Sequence, residues 1–204
     1  MFMFIVGING SPNKKGNTAF MLKTALEEAG AHGARTAVVH VADVLTGITQ
    51  PFCVHCSTPC DARCYKGTPL ERALEILREA DGILVGSPVY FGTVSAQLKS
   101  FWDKTRLLRS EKSLLNAVGG VLAVGTSRFG GQETTVRAVQ DMMLCQGMIV
   151  VGDGHHDDDA GHQGACAQRP SASDVAGLVR CRILAKRVVE VARATAGLRL
   201  PRRG

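Results

Sequence analysis

The stretch that decides the fold is MFIVGINGSPNKKGNT, residues 3–18. An unbroken apolar run is followed by a loop of Gly, Ser, Asn and Lys, and a helical pattern begins where that loop ends. Continuous rather than alternating hydrophobicity is typical of a parallel strand that is covered on both faces. Strand, polar loop and helix in this order form the first half of a β–α–β unit.

The same unit recurs along the chain. Besides residues 3–8, we predict strands at 37–41, 83–86, 121–125 and 148–151. Between them, apolar residues three and four positions apart define one face of each helix. The predicted buried stripes comprise Leu22, Ala25, Leu26 and Ala29; Leu70, Ala73, Leu74, Leu77 and Ala80; Leu98, Phe101, Trp102 and Thr105; Val136, Val139 and Met143; and Val175, Val179, Ile183, Val188 and Val191. The alternation predicts a doubly wound α/β sheet.

Composition excludes several classes of protein. The chain has 204 residues, 45% of them hydrophobic, and a net charge of +6 from 24 basic and 18 acidic side chains. That balance excludes global disorder, and no apolar run has the length of a membrane span. No basic run is interleaved with aromatics, so we expect no nucleic acid and no membrane as partner. We expect a cytoplasmic location, one domain over 1–198 and a disordered basic tail over 199–204.

The loop after the first strand is a candidate anion site. A helix N-terminus offers unpaired backbone N–H groups and a positive dipole end, and Ser11, Asn17 and Thr18 add side-chain donors. The spacing matches neither a Walker loop nor a dinucleotide fingerprint. A terminal phosphate held by many hydrogen bonds fits this loop. The alternative is an ordinary turn in which Asn17 or Thr18 caps the helix.

Two further loops follow the third and fourth strands, at 87–95 and 126–133. Ligands of open α/β sheets bind at the carboxyl ends of the strands. If the strand order is 2-1-3-4-5, these loops meet the first one in a single cleft. Tyr90 and Phe91 would give that cleft a flat apolar wall; the alternative is that both aromatics are core or interface residues.

Three segments together resemble the flavodoxin-like NAD(P)H-dependent FMN reductases: GINGSPNKKGNT, SPVYFGTVSAQLKSFWDKT and GTSRFGGQETT. The resemblance implies a five-stranded parallel sheet of order 2-1-3-4-5 with helices on both faces, bound FMN and a homodimer or higher homo-oligomer. It assigns the FMN phosphate to Ser11, Asn13, Asn17 and Thr18. It assigns the isoalloxazine ring to Pro88, Val89, Tyr90, Phe91 and Gly92, with Ser127, Gly130 and Gly131 on the other side.

Four of the seven cysteines lie within twelve residues, at Cys53, Cys56, Cys60 and Cys64. The segment CVHCSTPCDARC is similar to the iron–sulfur flavoprotein branch of that family, which implies a 4Fe–4S cluster. Its gaps of two, three and three residues depart from the branch's usual spacing, which has two residues in the second gap and a longer last gap. Zinc, with His55 as a substitute ligand, and a metal-free loop of thiols therefore stay open. We expect this loop near the carboxyl edge of the sheet, on the flavin side.

The leading hypothesis is an enzyme that takes electrons from NAD(P)H onto FMN and passes them to a flavin, a quinone-like molecule, a redox protein or another acceptor. The flavin carries the chemistry, so no catalytic acid or base is assigned. The alternatives are an iron–sulfur flavoprotein that transfers electrons without substrate turnover, and a metal- or redox-sensing module.

Residues 153–162 are rich in His and Asp. We interpret them as a solvated loop that lids the site or mediates assembly, rather than as a site for a divalent cation. We expect Arg180, Arg182, Arg187 and Arg193 on the wet face of the last helix.

Overall fold

The computed structural model describes residues 3–199. In this part of the chain the strands are β1 Phe4–Asn9, β2 Arg35–His40, β3 Gly82–Pro88, β4 Val118–Gly125, β5 Ile149–Val150 and β6 Ala165–Gln168. The α-helices are α1 Asn17–Ala31, α2 Val41–Val44, α3 Pro69–Arg78, α4 Ala96–Asp103, α5 Arg106–Ser110, α6 Gln132–Leu144 and α7 Val175–Ala194. Strands and helices alternate, as the apolar runs and stripes predict.

All strand pairs are parallel, and the main path of the sheet is β2-β1-β3-β4-β5, which confirms the predicted order. The fifth position holds two short strands instead of one. β5 pairs with the start of β4 at Val118 and Gly119, and β6 pairs with its end from Leu122 to Gly125. Residues 151–164 leave the sheet between them, so the predicted fifth strand is split by an insertion.

Helices cover both faces of the sheet because the central strands are apolar on both sides. On β1, Phe4, Val6 and Ile8 pack in one layer with residues of α3, α4 and α6, whereas Ile5 packs in the other layer with α1 and α7. Every residue of β1 and β4 is buried, which explains their unbroken apolar runs. The carboxyl ends of β1, β3 and β4 consequently meet along one edge.

The last helix buries only part of the stripe that the sequence predicted. Ile183 and Val188 are buried as predicted, whereas Val175 and Val179 are 72% and 44% exposed. The first turn of α7 packs on β6 through Gly177, where a Cβ would lie 2.7 Å from that of Ala167. This close approach turns both valines outward. The buried face consists mainly of Cys181, Leu184, Ala185, Val188, Val189 and Ala192.

The insertion 151–164 is fixed on α7 and is not the freely solvated loop that the sequence predicted. Its tip is exposed, but Asp153 is fully buried and binds Arg180, with Nε 2.5 Å from Oδ2. Arg187 donates to the carbonyl oxygen of Gly154 at 2.6 Å. Arg180 and Arg187 therefore hold the insertion, which corrects their assignment to a wet helix face.

Within residues 3–199, no helix combines the length and the hydrophobicity needed to cross a membrane.

The C-terminal end of the described chain is held against the domain. Arg199, which the sequence assigned to the tail, donates to the carbonyl oxygens of Leu115 and Ala80 at 2.9 and 2.8 Å. Residues 200–204 of the predicted tail lie outside the described residues.

Candidate functional site

Three loops lie at the carboxyl edge of the sheet: the first loop (residues 10–16), the third-strand loop (residues 89–95) and the fourth-strand loop (residues 126–131). Ser95 Oγ donates to the carbonyl oxygen of Gly10 at 2.6 Å, which fixes the first loop to the start of α4. Thr134 Oγ1 donates to the carbonyl oxygen of Gly92 at 2.7 Å. These two bonds connect the loops into one site.

The first loop is shaped by its own side chains. The backbone N–H groups of Ser11, Asn13 and Lys15 donate to Asn9 Oδ1, Ser11 Oγ and Asn13 Oδ1 at 3.0–3.1 Å. The Ser11 hydroxyl hydrogen and the Asn13 amide group thereby remain as donors toward a ligand. Gly16 is the N-cap of α1 and no side chain caps it, so the first-turn N–H groups face the loop.

Asn17 and Thr18 lie in the first turn of α1, so the alternative that one of them is the N-cap is wrong. Asn17 Oδ1 accepts the backbone N–H of Ser171 at 2.9 Å, which leaves the Asn17 amide nitrogen as the donor toward the loop. Thr18 is buried with its methyl group facing Gly86. The sequence analysis missed Ser171, because it lies 154 positions from Asn17 and carries no local signal.

The third-strand loop presents its aromatic residues to solvent. Tyr90 and Thr93 exchange backbone hydrogen bonds of 2.9 and 3.1 Å across Phe91 and Gly92. These two central residues have φ of +49° and +79°, as a type I′ turn requires. Phe91 is fully exposed and Tyr90 is 45% exposed, so the alternative that they are core residues is wrong. Both can serve as a wall for a planar ligand.

A buried glutamine, which the sequence analysis missed, organises the fourth-strand loop. Gln132 Nε2 donates to the carbonyl oxygen of Ser127 at 2.6 Å, and Gln132 Oε1 accepts from Gly130 N at 2.9 Å. Gly131 has φ of +93°, and a Cβ there would lie 2.9 Å from Gly92 Cα. The third- and fourth-strand loops therefore touch through backbone that only glycine permits.

The four clustered cysteines line one cavity of about 180 Å³, which lies between the segment that connects α2 to α3 and residues 103–106 at the junction of α4 and α5. Cys56 is exposed, and Cys53, Cys60 and Cys64 are half-buried. A zinc ion bound at about 2.3 Å would place tetrahedral sulfurs about 3.8 Å apart. Within residues 3–199, no three cysteine sulfurs lie within 4.8 Å of one another. The sulfur positions therefore do not match a preformed tetrahedral zinc site.

The walls of this cavity supply positive charge and hydrogen-bond donors. Lys104 is 2% exposed, and its Nζ lies 3.5 Å from Cys64 Sγ. The buried Tyr65 hydroxyl, in the same wall, has no partner among the described residues. Arg63 and Arg106 add two basic side chains to the lining, and Asp103, which is paired with Lys99 at 2.6 Å, adds a carboxylate. Four cysteines beside basic side chains and an unpaired donor fit an anionic iron–sulfur cluster.

The distance between the cysteine cavity and the three loops follows from α4. Lys104 follows this helix and Ser95 precedes it, so the two residues are ~13 Å apart at 1.5 Å per residue. The predicted place of the cysteine loop, near the carboxyl edge on the flavin side, stays a prediction. His55, the predicted substitute ligand, is exposed, and its Nε2 lies 2.8 Å from Thr58 Oγ1.

The His/Asp group on the insertion is occupied by an ammonium group. Ligand atoms of His155, His156 and Asp157 lie within 4.8 Å of one another. Lys186 Nζ lies 2.8 Å from Asp157 Oδ2 and 3.4 Å from His155 Nδ1. Its hydrogen bond lowers the pKa of Asp157. The arrangement is an ion-pair network that ties the insertion to α7, not a cation site.

A second cavity, of about 1170 Å³, lies between the fourth-strand loop and the start of α7. Arg128, Arg169 and Arg180 contribute to its lining, together with Cys166. Burial raises the pKa of Cys166 to about 12, so its thiol is protonated at neutral pH. This second cavity is large enough to hold a ligand beside the three loops.

A parallel sheet of order 2-1-3-4-5 with polar and glycine-rich loops at its switch point defines a class of protein. In such folds, FMN binds at the carboxyl edge between the first and third strands. The fold and the three joined loops therefore define a flavodoxin-like protein.

Comparisons with known proteins identify the family. Residues 3–162 match the family described as NADPH-dependent FMN reductase. An iron–sulfur flavoprotein from Methanocaldococcus jannaschii is 40% identical over 195 residues, covering 93% of this chain and 97% of that protein. A quinone-type NAD(P)H dehydrogenase from Chromohalobacter salexigens is 42% identical over 77 residues, 38% of each chain. The crystal structure of a WrbA-like flavodoxin from Agrobacterium tumefaciens superposes with a TM-score of 0.70 at 20% identity, covering 95% of this chain and 99% of that one.

The chain belongs to the NADPH-dependent FMN reductase family, in the branch of the iron–sulfur flavoproteins. It is accordingly a flavin oxidoreductase.

Proposed function

We propose that this chain binds FMN at the three loops and uses it to pass electrons from NAD(P)H to an acceptor. The observation that carries the proposal is the pair of hydrogen bonds, Ser95 to Gly10 and Thr134 to Gly92, which join the loops at the switch point of the sheet. When bound there, FMN would supply the redox chemistry, as acceptor of hydride from a nicotinamide. The chain binds and orients it.

The first loop would hold the phosphate. Its donors are the first-turn N–H groups of α1 and four side chains: Ser11, Asn13, Asn17 and Thr18. The loop's internal hydrogen bonds arrange these donors before any ligand arrives, which lowers the entropy lost on binding. The positive end of the α1 dipole favours the phosphate charge.

The third- and fourth-strand loops would hold the isoalloxazine ring. The fixed turn at Phe91 and Gly92 and the glutamine-clamped fourth-strand loop keep backbone close to a planar ligand. The proposed ring contacts are Pro88, Val89, Tyr90, Phe91, Gly92, Ser127, Gly130 and Gly131.

We further propose that Cys53, Cys56, Cys60 and Cys64 hold an iron–sulfur cluster, which would supply one-electron transfer. Support comes from the shared cavity, the spacing of the sulfurs and the basic lining. This cluster also favours the second candidate function, an electron-transfer protein without its own substrate turnover. In that case a redox protein replaces the small acceptor.

We propose a homodimer as the working form. Phe91 and Phe129 are 106% and 94% exposed beside the proposed flavin cleft, and a second copy would cover them. Two-fold dimers are the commonest protein assembly. Light scattering at micromolar concentration with FMN present should give twice the monomer mass; a monomer mass contradicts the proposal.

The test of the function is anaerobic purification followed by flavin, iron and zinc analysis and by steady-state assays with NADH and NADPH. We expect one FMN per chain and oxidation of a nicotinamide with added FMN or a quinone as acceptor. Failure to bind FMN would refute the proposal. FMN and iron without turnover of any small acceptor would favour the electron-transfer candidate.

A further inference from the structure

Lys104 is a buried cation without a carboxylate partner. Its side chain is 2% exposed, and within residues 3–199 no carboxylate oxygen lies within 4.0 Å of Nζ. The one hydrogen-bond partner that the described chain gives it is Cys64 Sγ at 3.5 Å. A buried ammonium is strongly unfavourable unless an anion compensates it. Among the described residues, Cys64 is therefore the one group within 4.0 Å of Nζ that can carry a compensating negative charge; Asp103 also lines the cavity, but it is paired with Lys99 at 2.6 Å.

Tyr65 is a second donor without an acceptor. Tyr65 is 3% exposed and lines the cavity, and its buried hydroxyl has no partner in the described part of the chain. The wall of the cavity therefore holds two buried donors: Lys104, whose ammonium group contacts Cys64, and Tyr65, whose hydroxyl group has no acceptor among the described residues.

We propose that Lys104 sets the reduction potential of the iron–sulfur cluster, acting through the Cys64 sulfur, with Tyr65 as a weaker second donor. The inference rests on the proposed function, which assigns a cluster to these cysteines. Reduction adds one electron from the reductant and raises the negative charge of the cluster by one. The ammonium attracts the reduced form more strongly than the oxidised form, so it raises the potential.

The test uses full-length protein prepared without oxygen and loaded with FMN and iron. The variants Lys104→Met and Lys104→Gln remove the charge, and Lys104→Arg keeps it. Lys23→Met is the matched control, because Lys23 is exposed, is paired with Glu27 at 3.5 Å and does not line the cysteine cavity. The cluster's midpoint potential is measured by dithionite titration with electron paramagnetic resonance, and iron content is measured beside it.

We expect Lys104→Met and Lys104→Gln to lower the equilibrium constant for cluster reduction at least tenfold, which is 59 mV for a one-electron couple. Lys104→Arg should remain within threefold of the wild type, and Lys23→Met should match the wild type. Tyr65→Phe should shift the potential in the same direction by less. Should Lys104→Met lose its iron, retention of iron and potential by Lys104→Arg would still support a role for the charge.

Two failures are distinguishable. A wild-type protein that binds FMN but no iron refutes the cluster in the proposed function, and the inference with it. A wild-type protein with iron, whose potential stays within twofold in both uncharged variants, refutes the role of Lys104 alone. A loss of iron in Lys104→Met and Lys104→Arg alike would also overturn it, because the charge would not be what matters.

Discussion

Gly131→Ala tests whether contact between two loops builds the flavin site. Gly131 has φ of +93°, and the added Cβ would lie 2.9 Å from Gly92 Cα, a backbone atom that cannot rotate away. The third- and fourth-strand loops must then separate by a few tenths of an ångström. This movement would also strain the hydrogen bond of 2.7 Å from Thr134 to Gly92.

The structure sets the size of the effect. Placing alanine in the left-handed region lowers the free energy of unfolding by about 1–2 kcal/mol. Alanine also restricts the unfolded chain more than glycine does, which offsets about 0.4–1 kcal/mol of that loss. The strained hydrogen bond adds about 0.5–1.5 kcal/mol. FMN binding must restore the original loop contact, so affinity should fall by about 1–2 kcal/mol, roughly five- to thirtyfold.

Gly33→Ala is the matched control. Gly33 also has a positive φ, of +79°, but its Cβ would have no atom within 4 Å, and it precedes β2 at the opposite edge of the sheet. Both variants should lose stability, by roughly 2–4 °C in Tm for about 1 kcal/mol. Only Gly131→Ala should weaken FMN binding, measured by flavin fluorescence titration. Equal FMN affinity in the two variants would refute the assignment of these loops to the flavin.

Three further predictions concern single side chains. Asn17→Ala removes a proposed donor to the FMN phosphate. Because a hydrogen bond to a charged group contributes about 1.5–3 kcal/mol, FMN binding should weaken at least tenfold in the same titration. Unchanged affinity would exclude Asn17 from the site. Cys56→Ser should lower the iron content while FMN stays bound, whereas Cys145→Ser should change neither; metal analysis that finds equal iron in both variants would contradict this. Burial raises the pKa of the Cys166 and Cys181 thiols from 9.0 to about 12, which leaves about a thousandfold less thiolate below pH 9. Both cysteines should therefore resist iodoacetamide at pH 8, whereas the exposed Cys145 should react. Equal labelling of all three cysteines in mass spectrometry would contradict this prediction.

Local patterns predicted the strands and the loops that follow them. The run at residues 3–8 became β1 within one residue at each end, and the loops after β1, β3 and β4 lie at one edge as predicted. Such patterns are visible because the central strands of a parallel sheet are buried on both faces and each helix on one; the edge strand β2 is largely exposed. The strand order, in contrast, came from a resemblance to a family.

Features that depend on distant residues were not predictable. The valine stripe at Val175 and Val179 has helical spacing, yet the close approach of Gly177 to β6 turned it to solvent. The insertion contains ordinary loop residues, but Asp153 is buried against Arg180. In each case contact with a neighbouring element decided whether the side chain is buried, because tertiary packing overrides the weak preference that the local sequence pattern indicates.

The sequence by itself determined the alternation of strands and helices, the polar loop that opens α1 and the clustering of four cysteines. Only the tertiary structure brought Ser171 to Asn17, Gln132 into the fourth-strand loop and Lys104 to Cys64, forty positions away. Hydrophobic period and turn chemistry act between neighbours along the chain, so a sequence displays them directly. The partner of a buried amide or ammonium is set by how the helices pack on the sheet, and that arrangement exists only once the chain has folded.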